Sequence, residues 1–384
     1  MILSNVHIVG ESVKKNIHIK NGLISAVDNN PAITTLQEID IEFENSLAFP
    51  GLINSHDHLD FNSFPQLGNQ TYNNYVEWGN DIHQQNKAVI NAVLKIPKTL
   101  RIQWGIYKNL LNGITTVVNH GDKLDIPDNI ITVFQNCHSL HSVKLERRWK
   151  YQLNSPFIKE FPFVIHAGEG ADNDSHNEIE ELIKWNMLKR KIIAVHGVAM
   201  DEKQAAHFQV LVWCPATNYF LLNKTAEIDQ LKKKTTILFG TDSTLTAGWN
   251  IWEHLRLARK LQLLDDTELY RSVTSTAASI WKLNNGSIEK SKTADIVIAR
   301  YKTNEVGINT FYSLNPEDIL LIINKGTIIF FDESLLPQLK NIAIENYSKI
   351  FINNISKYVI GNLPQVMNKI KKYNPDAVFP VEIE

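Results

Sequence analysis

The chain has 384 residues, 43% of them hydrophobic, and a formal net charge of -2. That length supports one large domain with a smaller one appended, and the near-neutral balance excludes the electrostatic footprint of a nucleic-acid or anionic-membrane binder. Two cysteines, Cys137 and Cys214, exclude a disulfide framework; with no run of membrane-spanning length and no leader-like pattern in residues 1–9, the expected location is the cytoplasm.

In chain order, residues 1–50 read as short strands at 6–9, 16–20 and 23–27, the last two joined by Asn21-Gly22, a tight-hairpin signal. From about 51 to 290 the rhythm changes. Apolar runs at 47–53, 114–118, 163–165, 192–195, 210–213 and 236–239 each end in a polar cluster. Such runs are what strands buried on both faces of a parallel sheet look like. Helix-patterned segments, 178–189 and 201–208 among them, lie between several of the runs. Repeated strand–helix units predict a (β/α)8 TIM barrel, distorted between His120 and Phe163, where about 43 positions hold two strands and their helices. A doubly wound open sheet is the alternative, with ligands gathered at a single switch point.

Residues 291–333 return to β patterning at 294–299, 320–323 and 327–331, and are expected to join residues 1–50 in a small β-sandwich domain. In 334–384, Ile350, Phe351, Ile355, Val359, Leu363, Val366 and Ile370 recur at roughly helical spacing. This predicts a helical tail packed on the barrel or on a second copy, hence a homodimer.

The polar clusters carry the chemistry. His56 and His58 leave the first buried strand on one face, since alternate strand residues point the same way. His166, His196 and Asp242 each follow a later buried run and converge on the same barrel mouth. Imidazoles with a carboxylate suit a divalent ion that keeps an open position for chemistry. Glu169 stands three residues after His166 between Gly168 and Gly170, where a carboxyl group can carry a proton. Asn119, His120, Asn218 and Asp60 follow strand ends and are candidates for touching a small-molecule substrate; Trp78 and Trp104 are expected in the core.

Taken together, the segments 50–58, 113–117, His166-Ala167-Gly168-Glu169, His196-Gly197, Cys214-Pro215-Ala216-Thr217-Asn218, Gly240-Thr241-Asp242-Ser243 and 293–298 resemble the amidohydrolase superfamily, in its branch of chlorohydrolases and aminohydrolases of cyclic substrates. The resemblance covers the chain to about residue 330. It implies one divalent metal ion, zinc first and ferrous iron second, held by His56, His58, His166 and Asp242. It further implies that Asp242 accepts the proton of the attacking water, that His196 orients the attacking oxygen, and that Glu169 protonates a ring nitrogen so that ammonia leaves.

Other members hold two metals bridged by a carboxylated lysine, a role for which Lys144 is the candidate; Glu169 favours one metal. The leading expectation is hydrolytic deamination of a small cyclic amine or amidine, nucleobase-, nucleoside- or triazine-like. Amide, lactam or carbon–halogen hydrolysis, and a silent metal-binding scaffold, are the alternatives.

Overall fold

The apolar run at 47–53 does not form one strand. In the computed structural model, which describes residues 1–30, 39–125, 130–301, 307–339 and 341–383, it divides at Gly51 into strands Ser46–Pro50 and Leu52–Asp57. A Cβ on Gly51 would lie 2.2 Å from Thr115 Oγ1, so only glycine lets the chain pass. The first half pairs antiparallel with Ile296–Arg300, and the second pairs parallel with Ile114–Asn119. One seven-residue run thus serves two sheets.

Leu52–Asp57 opens a parallel set, numbered one to eight here in chain order. Strands two and three are Ile114–Asn119 and Thr132–Phe134, and four to eight are His138–Ser142, Phe163–Ala167, Ile192–His196, Val210–Trp213 and Thr236–Phe239. They form two ladders, of three and five strands. Strand eight meets strand one just beyond its end: Asp242 N donates to His56 O at 3.1 Å and Thr241 N to Asn54 Oδ1 at 3.1 Å. The expected compression falls between strands three and four, which succeed one another without a helix. This is a (β/α)8-like domain with a β domain attached.

Among the described residues, the β domain is a single hydrogen-bonded sheet of 11 strands. Its N-terminal strands (Ile2–Ile8, Lys14–Lys20, Leu23–Asp28) and C-terminal strands (Ile296–Arg300, Ile319–Asn324, Thr327–Asp332) meet through Ser46–Pro50. Leu3, Ile17, Ile298 and Phe331 are buried together beneath it.

The tail differs from the helical expectation for 334–384. Tyr347–Ile352 and Ile355–Ile360 form an antiparallel hairpin that extends the sheet, and only Leu363–Tyr373 is an α-helix. Asn353 and Asn354 turn the hairpin with φ of 47° and 62°, the left-handed pair a two-residue hairpin loop needs. Ile350 and Ile352 are buried on alternate positions, and so are Lys357 and Val359, so the helical spacing was a coincidence of two overlapping periods. The fully buried Lys357 donates at 2.7 Å to Asp332 Oδ2, Glu317 O and Ile319 O, which fixes the hairpin. Among the described residues, no helix is long and apolar enough to cross a membrane.

Candidate functional site

Strand one ends by turning two imidazoles inward, and strand five supplies a third. His166 Nε2 stands 3.2 Å from His56 Nε2 and 3.4 Å from His58 Nε2. Nitrogens about 2.0–2.1 Å from one zinc at tetrahedral angles are roughly 3.3 Å apart, so this spacing is that of three ligands around one ion. Asp242 Oδ1 lies 3.9 Å from His56 Nε2 and 3.8 Å from His58 Nε2, at the edge of the same space. Among the described residues, donors that could share an ion fall into two groups, one of His56, His58, His120 and His166, the other of His56, His196 and Asp242. The nitrogen-rich, buried donor set fits a divalent ion such as zinc. Lys144, the candidate bridging ligand, is exposed.

Asp242 and His196 are held in left-handed backbone, with φ of 57° and 74°. That conformation is uncommon for residues other than glycine. Asp242 Oδ2 accepts from the Thr217 and Thr246 hydroxyls at 3.1 and 3.2 Å, and Oδ1 accepts from Ser243 N at 2.8 Å while facing the imidazoles. His196 Nδ1 donates to Asn218 Oδ1 at 3.0 Å. Its Nε2 is thereby left with the lone pair, 3.5 Å from Glu169 Oε1. Burial lowers the His196 pKa and keeps the ring neutral.

Glu169 follows strand five on a turn that its glycines make possible. Gly168 has φ of 65°, and a Cβ on Gly170 would lie 2.0 Å from Ser175 Oγ. Gly168 N donates to Glu178 Oε1 at 3.0 Å, and Tyr75 N donates to Glu169 O at 3.1 Å, so the loop is clamped from both sides. Burial, and then the negative charges of Asp242 and Glu178, push the Glu169 pKa well above the usual carboxylate range. Burial also raises Glu178, to about 7. A buried acid with a raised pKa beside a metal-binding cluster is equipped to donate a proton.

These groups floor a cavity of about 300 Å³. His58, His141, His166, Glu169, His196 and Asp242 form its polar end, while Phe61, Phe64, Trp78, Ile82, Leu145 and Leu245 make apolar walls. The helix Tyr75–Gln85 supplies part of that wall; Asn74 caps it, accepting from Val76 N and Glu77 N.

The four residues expected to touch substrate do not line this cavity. Asp60 turns away towards Lys98 and Arg101, 3.8 and 3.9 Å distant. Asn119 Oδ1 accepts from Leu59 N at 3.1 Å and shapes the turn after strand one. Asn218 holds His196, and the His120 ring packs against that of His166, with centroids 4.5 Å apart. Each was placed by its position after a strand, which fixes the end of the sheet but not the direction of the side chain. Trp104 is in the core as expected, whereas Trp78 faces the cavity with Nε1 donating to Leu67 O at 2.7 Å. His141 was missed, although it follows Leu140 at the end of strand four just as His166 follows Ile165 in strand five.

A buried ion pair braces the floor from below. Lys108 Nζ, on helix Lys98–Leu110, reaches Asp57 Oδ2 and, at 3.3 Å, Thr241 Oγ1. Asp57 Oδ1 accepts from Asn62 Nδ2 at 2.8 Å and Oδ2 from Asn109 Nδ2 at 2.7 Å.

The amidohydrolase family model matches residues 158–329. A 5-methylthioadenosine/S-adenosylhomocysteine deaminase of Caldicellulosiruptor saccharolyticus is 24% identical, covering 85% of this chain and 91% of its own. Among solved structures, a zinc-bound adenosine deaminase from Xanthomonas campestris superimposes with a TM-score of 0.62 at 16% identity, covering 85% of this chain and 92% of its own. A triazine hydrolase variant does so with a TM-score of 0.67 at 15% identity, covering 98% of this chain and 99% of its own.

Proposed function

We propose that the chain is a hydrolase of the amidohydrolase superfamily, in the branch that includes chlorohydrolases and deaminases, and that it hydrolytically deaminates a small cyclic amine or amidine; the family match and the deaminase and chlorohydrolase relatives support this reading. The observation that carries this reading is Glu169, a buried acid with a raised pKa, 3.5 Å from His196 and at the floor of the cavity that the metal-binding imidazoles line.

His56, His58, His166 and Asp242 are the proposed ligands of one divalent ion. A bound zinc ion would supply water acidified towards a pKa of ~7 as the nucleophile. Asp242 accepts from two hydroxyls at Oδ2 and from Ser243 N at Oδ1, and the remaining lone pair of Oδ1, which faces the imidazoles, would take the proton of that water. His196, neutral and oriented by Asn218, accepts a hydrogen bond from the attacking oxygen through Nε2. Glu169 gives its proton to the ring nitrogen of an amidine, which makes the attacked carbon electrophilic; the amino group takes the proton held by Asp242 and departs as ammonia, and the hydroxyl proton of the new carbonyl returns to Glu169. The apolar walls suit a flat heteroaromatic ring carrying a weakly polar substituent.

The names of the relatives support trying purine nucleosides first as substrates and substituted triazines second. In a triazine the same acid would protonate the ring nitrogen while chloride or an amine leaves. Zinc-loaded protein presented with adenosine, 5-methylthioadenosine, free purines, pterins and aminotriazines should release ammonia from at least one. Silence on all of them with zinc bound would overturn the deaminase reading, and chloride release from a chlorotriazine would install the second.

A further inference from the structure

His120 is a fourth imidazole at the metal-binding cluster, and the reaction outlined above does not use it. It follows strand two and is buried. Its ring centroid is 4.5 Å from that of His166, 5.0 Å from that of His56 and 5.2 Å from that of His58. It does not line the cavity, so substrate contact does not explain it.

The hydrogen bonding of the ring fixes its chemistry. His120 Nε2 lies 2.9 Å from Leu140 O. A carbonyl only accepts, so Nε2 carries the hydrogen and Nδ1 carries the lone pair. Nδ1 is buried and has no hydrogen-bond partner among the described residues. Leaving a buried acceptor unsatisfied is costly, and the groups around this one are other imidazoles. Donor atoms of His56, His58, His120 and His166 all fall within 4.8 Å of one another, close enough to share one ion.

We propose that His120 is an additional metal ligand, binding through Nδ1, so that strands one, two and five all contribute imidazole. The backbone of strand four acts as the outer partner that sets the tautomer, as carbonyls commonly do for ligating histidines. The added donor raises the coordination number beyond that of His56, His58, His166 and Asp242 alone. It also moves the donor set towards metals that accept five or six ligands, ferrous iron and cobalt among them.

The inference rests on the reading that this site holds a metal, and cobalt separates the two. Apo-protein is loaded with Co(II), and its visible d–d bands, which strengthen as coordination number falls, are compared with those of His120→Ala and His120→Gln; Gln keeps a donor for Leu140 O should Ala fail to fold. Zinc affinity is measured in parallel by chelator competition. Expected are stronger d–d bands in the variants and zinc affinity at least ~10-fold weaker, with added imidazole returning the spectrum of His120→Gly towards that of the parent. Spectra that superimpose would remove His120 from the ligand set while leaving the metal site intact. Failure of the parent protein to bind cobalt or zinc at all would overturn both.

Discussion

Lys108 Nζ and Asp57 Oδ2 are 3.0 Å apart with side chains 1% and 0% exposed, and Asp57 is the residue between the two histidines of strand one. The charge that steadies the metal-binding pair is therefore neutralised from a helix on the outside of the sheet. Removing one partner leaves an uncompensated buried charge, which costs about 3–5 kcal/mol. Lys108→Met is expected to lower stability by that order in urea unfolding. Pairing it with Asp57→Asn should recover part of the loss, because no buried charge then remains.

Metal removal should be visible in stability as well as in activity. A ligand that binds only the folded state adds about 4 kcal/mol at a thousand times its dissociation constant. Dialysis against a chelator is expected to lower Tm by several degrees, and zinc should restore it. A Tm indifferent to chelation would argue that the imidazole cluster is not metal-bound.

Glu169→Gln retains size and hydrogen bonding but cannot release the proton. Loss of a general acid costs roughly 10²–10⁴-fold in rate. The expected result is a fall of that order in kcat with the metal content of the parent protein. Undiminished ammonia release would remove the proton-donor role from Glu169.

Glu178 gives a pH dependence with a definite sign. Burial raises its pKa in the folded state to about 7, against about 4.3 when unfolded. The folded protein thus holds a proton that the unfolded chain has released. Its contribution is complete below pH ~4.3 and is lost as pH rises through 7. Unfolding free energy should decline between pH 5 and pH 8, and Glu178→Gln should flatten that decline. Because Glu178 also accepts from Gly168 N, the same substitution reports on how firmly the Glu169 loop is held.

The strand-end histidines were legible because two signals coincide there, an apolar run that buries a strand and a polar residue that stops it. His56, His166, His196 and Asp242 all obey that pattern, and the structure gathers them. Side-chain direction beyond the strand end carries no such signal, and Asp60 and Asn119, expected at the substrate, do not line the cavity. The Asp57–Lys108 pair was invisible for another reason: 51 positions separate the partners, and each looks like an ordinary surface charge. In the tail, helical and alternating periods both fit, and Asn353-Asn354 was the arbiter that spacing alone overlooked.

The left-handed backbone at His196 and Asp242 has a consequence for mutational tolerance. Asn and Gly adopt such φ values readily, while β-branched residues are genuine outliers there. In a saturation library at either position, activity should fall for nearly every replacement, but soluble yield should divide by backbone preference. Asn and Gly variants should accumulate as folded protein, and Val, Ile and Thr variants should not. The inactive but abundant variants would mark where the main chain, and not only the reaction, narrows the choice of residue.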